Sequence, residues 1–387
     1  MKDKIAKKIG ICACYDSRNY GSMLQAFATQ VVIENLGYES EYIVYRKKKD
    51  FIFILNQIPR LFNKNLMFDK LMFLKKKISI SFQPDIKSQE AIREKAFCRF
   101  KNNYYRHFSK EYYGYDALSE AAKQYDTIVV GSDQLWTPGG LATNFYNLMF
   151  VPDEVNKVSY ATSFGVSKIP RHQHRKTKEY LSRINHLSVR EIKGAEIVKS
   201  IADLNAEVVA DPTLLLKDNE WLELIPNRSI TETGYIFCYF LGENPKHRKI
   251  ANQLKEKTGL KIVTTPFLDS FVKEDLNFGD EKLFDVGPDD FVNLIRNAQY
   301  VLTDSFHGTV FSIIHQKKFI TLNRFDNGEQ SRNSRIDSLC ELLGLEERRY
   351  KNDILGEIEA PIDYKAVSDR LERLRIKSLD FLENALL

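Results

Sequence analysis

The sequence AQYVLTDSFHGTVFSIIHQKKFITL, residues 298–322, decides the fold. Its short apolar run, 300–303, ends abruptly in polar residues, after which apolar residues recur at helical spacing. This order predicts a buried parallel strand, a tight turn and a helix. Residues 304–308 would then lie beyond the carboxyl end of the strand, where unpaired backbone N–H groups and the helix dipole favour a phosphate or a carboxylate. For the motif alone, a plain helix cap at Ser305 and a loop hydrogen bond from His307 are the more common explanation.

Strands and helices alternate along both halves of the chain, and several predicted strands end in polar residues. Ligands of parallel α/β sheets gather at the carboxyl ends of the strands, so these residues are the candidates for ligand binding. They are Asn19, Gly21, Ser132, Asp133, Gln134, Trp136, Arg190, Ser305, His307 and Gly308. The alternation predicts an α/β fold of two Rossmann-like doubly wound domains facing each other across a cleft. Pro212 is expected to break any helix, which places the domain boundary after residue 216.

The composition is that of a globular protein with two domains. The chain has 387 residues, of which 43% are hydrophobic and 28% are charged. No apolar stretch approaches the roughly 20 residues that span a membrane, and the first residues lead into a predicted strand rather than into a signal-peptide core. The five cysteines are scattered and have no zinc-binding spacing, which favours a reducing compartment and no metal site. We therefore expect a cytoplasmic protein.

Residues 46–77 form a basic and apolar insertion. They carry a net charge of +8, whereas the rest of the chain sums to −3 within a total of +5. Apolar residues among lysines are typical of an element that meets an anionic membrane or an acidic substrate. An insertion whose apolar face packs on its own domain is an equally good alternative. No motif that would bind nucleic acid accompanies the charge.

Six separated motifs occur in one order along the chain. They are Asn19-Tyr-Gly21 with Leu24-Gln-Ala26, Val130-Gly-Ser-Asp-Gln-Leu-Trp136, Ser188-Val-Arg-Glu191, Asp211-Pro-Thr-Leu-Leu215, Thr303-Asp-Ser-Phe-His-Gly308 and Asn333-Ser-Arg-Ile336. Together they resemble the polysaccharide pyruvyl transferase family. The resemblance runs from about residue 9 to about residue 345 and leaves out the basic insertion and the tail.

The resemblance implies an architecture similar to glycosyltransferases of the B type. It also implies transfer of a pyruvyl group from phosphoenolpyruvate to a saccharide as a ketal, with phosphoenolpyruvate as donor substrate and no cofactor. Residues 1–216 would form the acceptor domain, residues 217–360 the donor domain, and residues 361–387 a closing helix.

The resemblance also points to residues that bind the donor. In the family an arginine and a histidine are associated with phosphoenolpyruvate, and Arg190 and His307 match those positions. Some members carry an arginine two residues before this histidine; Ser305 stands there in this chain, and Arg335 is the candidate substitute. Guanidinium groups suit this role because their paired N–H groups match a carboxylate or a phosphate. His307 is the candidate acid or the donor to the leaving phosphate, and Asp133 is the candidate base; which group has which role is open.

Structural roles compete with these assignments. Arg190 and Arg335 fit salt bridges with neighbouring acids, and Asp133 fits a loop acid that caps a turn. Trp136 and Tyr20 either stack on a sugar ring or close the pocket without touching the sugar.

Two other functions fit the same cleft: a sugar-nucleotide-dependent glycosyltransferase, and a saccharide-binding module without catalysis. A precursor of capsule, exopolysaccharide or secondary cell wall is the expected acceptor. A lipid-linked acceptor would explain the basic insertion, through contact with the inner face of the membrane. The hydroxyl pair that is bridged, the stereochemistry of the ketal and the oligomeric state are not encoded in any motif.

Overall fold

Alternating apolar and polar segments fold into two parallel sheets covered by helices. The computed structural model describes residues 7–47, 84–138, 144–232, 234–266, 272–324 and 333–387.

The N-terminal sheet has seven strands. They are β1 (Lys8–Cys12), β2 (Glu39–Arg46), β3 (Phe108–Tyr113), β4 (Thr127–Asp133), β5 (Asn156–Thr162), β6 (His186–Val189) and β7 (Glu207–Val208). All neighbours are parallel, in the order β3-β2-β1-β4-β5-β6-β7. The central strands β1, β4 and β5 are buried along almost their whole length, as their apolar sequences require.

The C-terminal sheet has five strands. They are β8 (Tyr235–Tyr239), β9 (Lys261–Thr264), β10 (Glu281–Lys282), β11 (Tyr300–Thr303) and β12 (Lys318–Thr321). They are also parallel, in the order β10-β9-β8-β11-β12. Each sheet therefore has the central crossover of a doubly wound domain, and the predicted fold class is confirmed.

Helices connect the strands in both domains. They are α1 (Tyr20–Asn35), α2 (Pro84–Tyr104), α3 (Tyr115–Ala122), α4 (His174–Leu181), α5 (Ile192–Ala202), α6 (Pro212–Leu215), α7 (Asp218–Leu224), α8 (Pro245–Thr258), α9 (Pro288–Asn297), α10 (Phe306–Ile314), α11 (Ser334–Leu343), α12 (Ile354–Glu359) and α13 (Tyr364–Leu386). Short 3-10 turns lie at Arg171–Gln173, Lys273–Leu276 and Glu346–Arg348. Strand β11 has the bounds that the sequence predicts.

The expectation that Pro212 breaks any helix is wrong. Pro212 is the first residue of the one-turn helix α6, and the Asp211 carboxylate caps that helix by accepting a hydrogen bond from the backbone N–H of Thr213 at 3.1 Å. Proline is tolerated there because the first N–H of a helix has no partner within the helix.

The predicted closing helix, α13, returns to the N-terminal domain. The Arg375 Nε donates to the Leu214 carbonyl at 2.6 Å, and the Asn156 side chain donates to the Ala385 carbonyl at 2.7 Å. The chain therefore ends against the domain in which it begins.

A continuous aromatic core joins the two domains. The Tyr20 ring stacks on Phe97 and on Phe291, with ring centroids 4.9 Å apart in both pairs. Since Tyr20 opens α1 and Phe291 belongs to α9, this packing holds the start of an N-terminal helix against the C-terminal domain. It fixes the geometry of the candidate site.

The basic insertion predicted at residues 46–77 lies outside the described residues from residue 48 onwards. Within the described part of the chain, every helix is too short or too polar to cross a membrane.

Candidate active site

The turn between β11 and α10 has the predicted form. Ser305 caps α10, and its hydroxyl accepts a hydrogen bond from the Gly308 N–H at 3.3 Å. Gly308 lies so close to the end of β11 that an added methyl carbon would come within 3.0 Å of Thr303 Cβ. His307 is therefore placed in the first turn of the helix, where it is buried with 5% of its surface exposed.

A second helix start, from the other domain, meets His307. Asn19 caps α1, and its side chain accepts a hydrogen bond from the Ser22 N–H at 3.1 Å. Gly21 in the first turn of α1 packs against the imidazole, and a methyl carbon added there would approach His307 Cε1 to 2.7 Å. The amino termini of two helices therefore converge on one histidine, and both dipoles favour negative charge at that point.

Arg190 lies at the carboxyl end of β6 and binds two carboxylates. Its Nη1 donates to Asp211 at 2.8 Å and its Nη2 donates to Asp133 at 3.1 Å. The Arg190 side chain is fully buried. Burial disfavours its charge, but Asp211 and Asp133 more than compensate and raise its pKa. The salt bridge considered from the sequence is therefore present, with these two acids and, at 3.9 Å, with Glu191.

Asp211 faces His307 across the domain boundary. Its Oδ1 lies 3.7 Å from His307 Nε2, slightly beyond hydrogen-bond distance. The Ser132 hydroxyl donates to Asp211 at 2.9 Å and the Thr213 hydroxyl donates to it at 2.7 Å. Burial alone would raise the pKa of Asp211, but the His307 imidazole and the Arg190 guanidinium hold it well below its usual range. In the described part of the chain, His307 Nε2 has no hydrogen-bond partner.

Asp133 is the most accessible carboxylate of the cluster. Its side chain is 18% exposed, against 0% for Asp211 and 3% for Glu191. The Ser22 hydroxyl donates to it from α1. Burial raises the pKa of Asp133, but Arg190 and His307 lower it by more, so the group is charged at neutral pH.

Arg335 enters the cluster from the other side, on α11. Its guanidinium and that of Arg190 both lie over the Phe306 ring, 5.8 Å and 4.7 Å from the centroid. The Gln134 amide faces Arg335, and its oxygen, when turned to the guanidinium, accepts from Nη1 at 2.9 Å. Burial and the nearby Arg190 charge lower the pKa of Arg335 to about 9. The positive charge of Arg335 is therefore less well neutralised by neighbouring carboxylates than that of Arg190.

Glu191 completes the cluster behind Arg190. It accepts a hydrogen bond from the Ser163 hydroxyl at 2.7 Å, and burial raises its pKa although Arg190 opposes the shift. The two guanidinium groups of Arg190 and Arg335 therefore face three carboxyl groups. The cluster is close to charge balance rather than strongly cationic.

The chain also matches one known family. A family model described as polysaccharide pyruvyl transferase matches residues 19–327, which is most of the chain. The chain belongs to the polysaccharide pyruvyl transferase family. No curated protein matches it.

Solved structures are similar to this member of the polysaccharide pyruvyl transferase family in fold. The UDP-GlcNAc 2-epimerase from Methanocaldococcus jannaschii is 11% identical, with a TM-score of 0.49 over 94% of this chain and 91% of that one. The Escherichia coli ADP-heptose lps heptosyltransferase II is also 11% identical, with a TM-score of 0.37 over 96% and 99%.

The structure brings most of the predicted site residues of this family member together. They are Gly21, Ser132, Asp133, Gln134, Arg190, Ser305, His307, Gly308 and Arg335. The Asn19 side chain caps α1 and accepts a hydrogen bond from the Ser22 N–H. These residues come from both domains, so the site lies at the domain interface.

Trp136 does not line the cleft. It is fully buried between Phe164 and Tyr180, and its Nε1 donates to the Tyr146 carbonyl at 2.9 Å. The expectation that it contacts the substrate is wrong, because both faces of the ring are covered by the core. Tyr20 is likewise covered, by Phe97 and Phe291.

Sequence reasoning gave no role to Asp211 or to Arg324. Asp211 follows a short apolar run at residues 208–210, so the rule that selected Asp133 would have selected it too. Arg324 follows β12, which the sequence does not predict; its Nη2 donates to the Asp304 carbonyl at 3.0 Å. Its charge acts on Arg335 and helps to lower the pKa of that group.

Proposed function

We propose that this protein transfers the pyruvyl group of phosphoenolpyruvate to two hydroxyl groups of a saccharide, which gives a pyruvate ketal and inorganic phosphate. Family membership supports pyruvyl transfer to a polysaccharide. The position of His307, at two converging helix starts and facing the Asp211 carboxylate, is the observation that carries the proposal.

The donor would lie at the start of α10, against Arg335. Phosphoenolpyruvate carries about three negative charges, which suit paired guanidinium N–H groups and helix amino termini. Arg335 is buried beside the like charges of Arg190 and Arg324, so an anion there offsets a desolvated positive charge. Ser305 and Gly308 would shape the turn that receives it.

Arg190 would mainly support the donor pocket from behind rather than contact the donor. Its Nη1 and Nη2 are committed to Asp211 and Asp133, and its side chain is closed to solvent. In this proposal it holds the two carboxylates in place and adds positive charge to the donor pocket.

At the donor, the reaction forms two C–O bonds and one C–H bond and breaks the C–O bond to phosphate. A sugar hydroxyl adds to C2 of phosphoenolpyruvate while the methylene carbon C3 takes a proton and becomes a methyl group. The second hydroxyl then displaces phosphate from C2, and its proton leaves with the phosphate. His307 would deliver a proton to C3 or to the leaving phosphate, and Asp133, the charged and most accessible carboxylate, would accept the hydroxyl proton.

The acceptor would enter from the N-terminal domain, where Asp133 lies. We propose a precursor of a surface polysaccharide, handled on the cytoplasmic side of the membrane. If residues 46–77 hold the enzyme at an anionic membrane, their deletion will reduce binding to phosphatidylglycerol vesicles in a sedimentation assay. Undiminished binding would contradict that part of the proposal.

The test of the reaction is a search for its two products. The protein is incubated with phosphoenolpyruvate and a panel of saccharides, phosphate release is measured, and the ketal methyl group is sought by proton NMR. We expect both products with wild-type protein and neither with His307→Ala, with circular dichroism confirming that the variant is folded. Equal phosphate release by both proteins would contradict the assignment of His307.

A further inference from the structure

Gln134 contacts Arg335 across the domain interface. Gln134 directly follows β4 of the N-terminal domain, and Arg335 is the second residue of α11 in the C-terminal domain. In the orientation that matches donors with acceptors, the Gln134 amide oxygen accepts a hydrogen bond from Arg335 Nη1 at 2.9 Å and lies 3.1 Å from Nε. One side chain from each domain therefore meets the other at the proposed donor site.

The backbone around Gln134 is held on both sides. The Ser163 N–H donates to the Asp133 carbonyl at 2.9 Å, and the Trp136 N–H donates to the Ser163 carbonyl at 3.1 Å. Gly165 lies against the side chain, since a methyl carbon added to it would be 3.0 Å from Gln134 Cδ. The Gln134 side chain therefore has little room to turn away from the interface.

The charge of Arg335 is buried and poorly neutralised. Only 8% of its surface is exposed. Within the described residues its guanidinium forms no ion pair, and the largest charge effect on it comes from the like charge of Arg190. Burial and this like charge lower its pKa to about 9, although Asp133 and Glu191 oppose the shift. The acceptor that Arg335 contacts, the Gln134 amide, is neutral.

A neutral acceptor orients a guanidinium without cancelling its charge. A carboxylate in place of the amide would form an ion pair with Arg335, and such a pair attracts a further anion only weakly. Arg190 in the same cluster shows the contrast, because it binds the two carboxylates of Asp211 and Asp133. The acceptors therefore distinguish the two arginines: one is paired with acids, and the other is oriented by an amide.

We propose that Gln134 is a positioning residue that orients Arg335 for the donor and, being neutral, leaves the charge of Arg335 for an anionic ligand. The identity of that ligand as phosphoenolpyruvate rests on the proposed function, whereas the pairing of Gln134 with Arg335 rests on the structure. Gln134 would thus act on the donor through Arg335 and not through a contact of its own.

The test without ligand is a thermal cycle of four proteins: wild type, Gln134→Glu, Arg335→Ala and the double variant. Glutamate has the shape of glutamine, and its carboxylate would pair with Arg335. Gln134→Glu should therefore raise the Tm of the wild type by about 1–3 °C and lower that of Arg335→Ala, where the half-buried carboxylate has lost this partner. The same change of Tm in both backgrounds would overturn the pairing.

The test with ligand is phosphoenolpyruvate binding by calorimetry. Gln134→Ala should weaken binding about three- to tenfold, because Arg335 loses its orientation but keeps its charge. Gln134→Glu should weaken binding about 30-fold or more, because the carboxylate neutralises Arg335 and repels the donor. A role in filling space would give the reverse order, since glutamate keeps the size of glutamine. In turnover assays the loss should appear mainly in the KM for phosphoenolpyruvate and less in kcat.

Gln316→Glu is the matched control for an added negative charge. Gln316 is exposed beyond the last turn of α10, and the nine residues of that helix place it about 14 Å from the helix start. This variant should leave the affinity for phosphoenolpyruvate within about twofold of the wild type. Wild-type affinity in Gln134→Glu, or an equal loss in Gln316→Glu, would overturn the proposal.

The two proposals fail in different ways. If phosphoenolpyruvate does not bind the wild-type protein, the proposed function loses its donor, while the thermal cycle still shows whether Gln134 pairs with Arg335. If phosphoenolpyruvate binds and is consumed but Gln134→Glu binds it as tightly as the wild type does, the role of Gln134 is refuted and the reaction stands.

Discussion

Gly21→Ala should disable the enzyme without removing any polar group. Gly21 lies in the first turn of α1. Because it has no side chain, the imidazole of His307, from the other domain, packs directly against it. An added methyl carbon would overlap Nδ1 and Cγ of the imidazole and approach Cε1 to 2.7 Å, against 3.4–4 Å for an ordinary contact. The ring or one of the helices must therefore retreat by about 1 Å or more to restore van der Waals contact.

The size of the effect follows from that displacement. Moving a catalytic group by about 1 Å costs on the order of 100-fold in rate, because the reacting atoms lose their alignment. Overpacking of a well-packed interface costs about 1–3 kcal/mol in the free energy of unfolding, which a protein of this size can sustain. We therefore expect a folded variant with a large loss of kcat.

The assay is phosphate release from phosphoenolpyruvate, with urea unfolding measured in parallel. Gly10→Ala is the matched control, since its methyl carbon would crowd Ile43 at 2.7 Å inside the N-terminal sheet, and its nearest contacts are Ile43 and Tyr125 rather than His307. We expect Gly10→Ala to lose stability and keep its turnover. A folded Gly21→Ala variant with wild-type kcat would refute the placement of His307 in the reaction.

Three further predictions concern the buried cluster. Asp211→Asn leaves Arg190 without its shorter ion pair, and should lower the free energy of unfolding by about 3–5 kcal/mol in urea titrations; a loss below 1 kcal/mol would contradict this. Arg335→Ala should weaken phosphoenolpyruvate binding by about 1.5–3 kcal/mol by calorimetry, and an unchanged affinity would move the donor site elsewhere. Burial raises the pKa of Glu191 above its usual value of 4.5. From about pH 4.5 upward the folded state therefore binds more protons than the unfolded state. The free energy of unfolding then falls as the pH rises from 4.5 through the pKa of the folded state. Glu191→Gln should remove that fall from the pH profile of the unfolding free energy, and an identical profile would show that Glu191 does not titrate there.

The fold could be predicted because its signal is local. Strand β11 and helix α9 differ in the spacing of their apolar residues, and Pro288 marks the start of the helix. Strand β12 has a weaker signal, since it is only four residues long and no glycine or proline separates it from α10. Strand β3 lies at the edge of its sheet and buries only two of its six residues, so its sequence has no apolar run.

The sequence predicts which residues lie at the strand ends of the site, but not which side chains contact one another there. Sequence order places Asp133 and Arg190 at the same sheet edge, but does not show that Arg190 binds both Asp133 and Asp211. Trp136 follows the end of β4 by three residues and Gln134 follows it directly, yet the Trp136 side chain lies in the core, and position after a strand does not specify that direction. The contact between Gly21 and the His307 ring depends on how two domains dock, and no local pattern encodes it.

The most direct test of the central claim is a thermal-shift comparison of phosphoenolpyruvate with UDP. A ligand that binds the folded state raises its stability in proportion to the logarithm of its concentration above Kd. We predict that phosphoenolpyruvate raises the Tm of the wild-type protein, that Arg335→Ala abolishes most of this shift, and that UDP has no effect. A shift with UDP and none with phosphoenolpyruvate would contradict the account and identify a nucleotide-sugar enzyme instead.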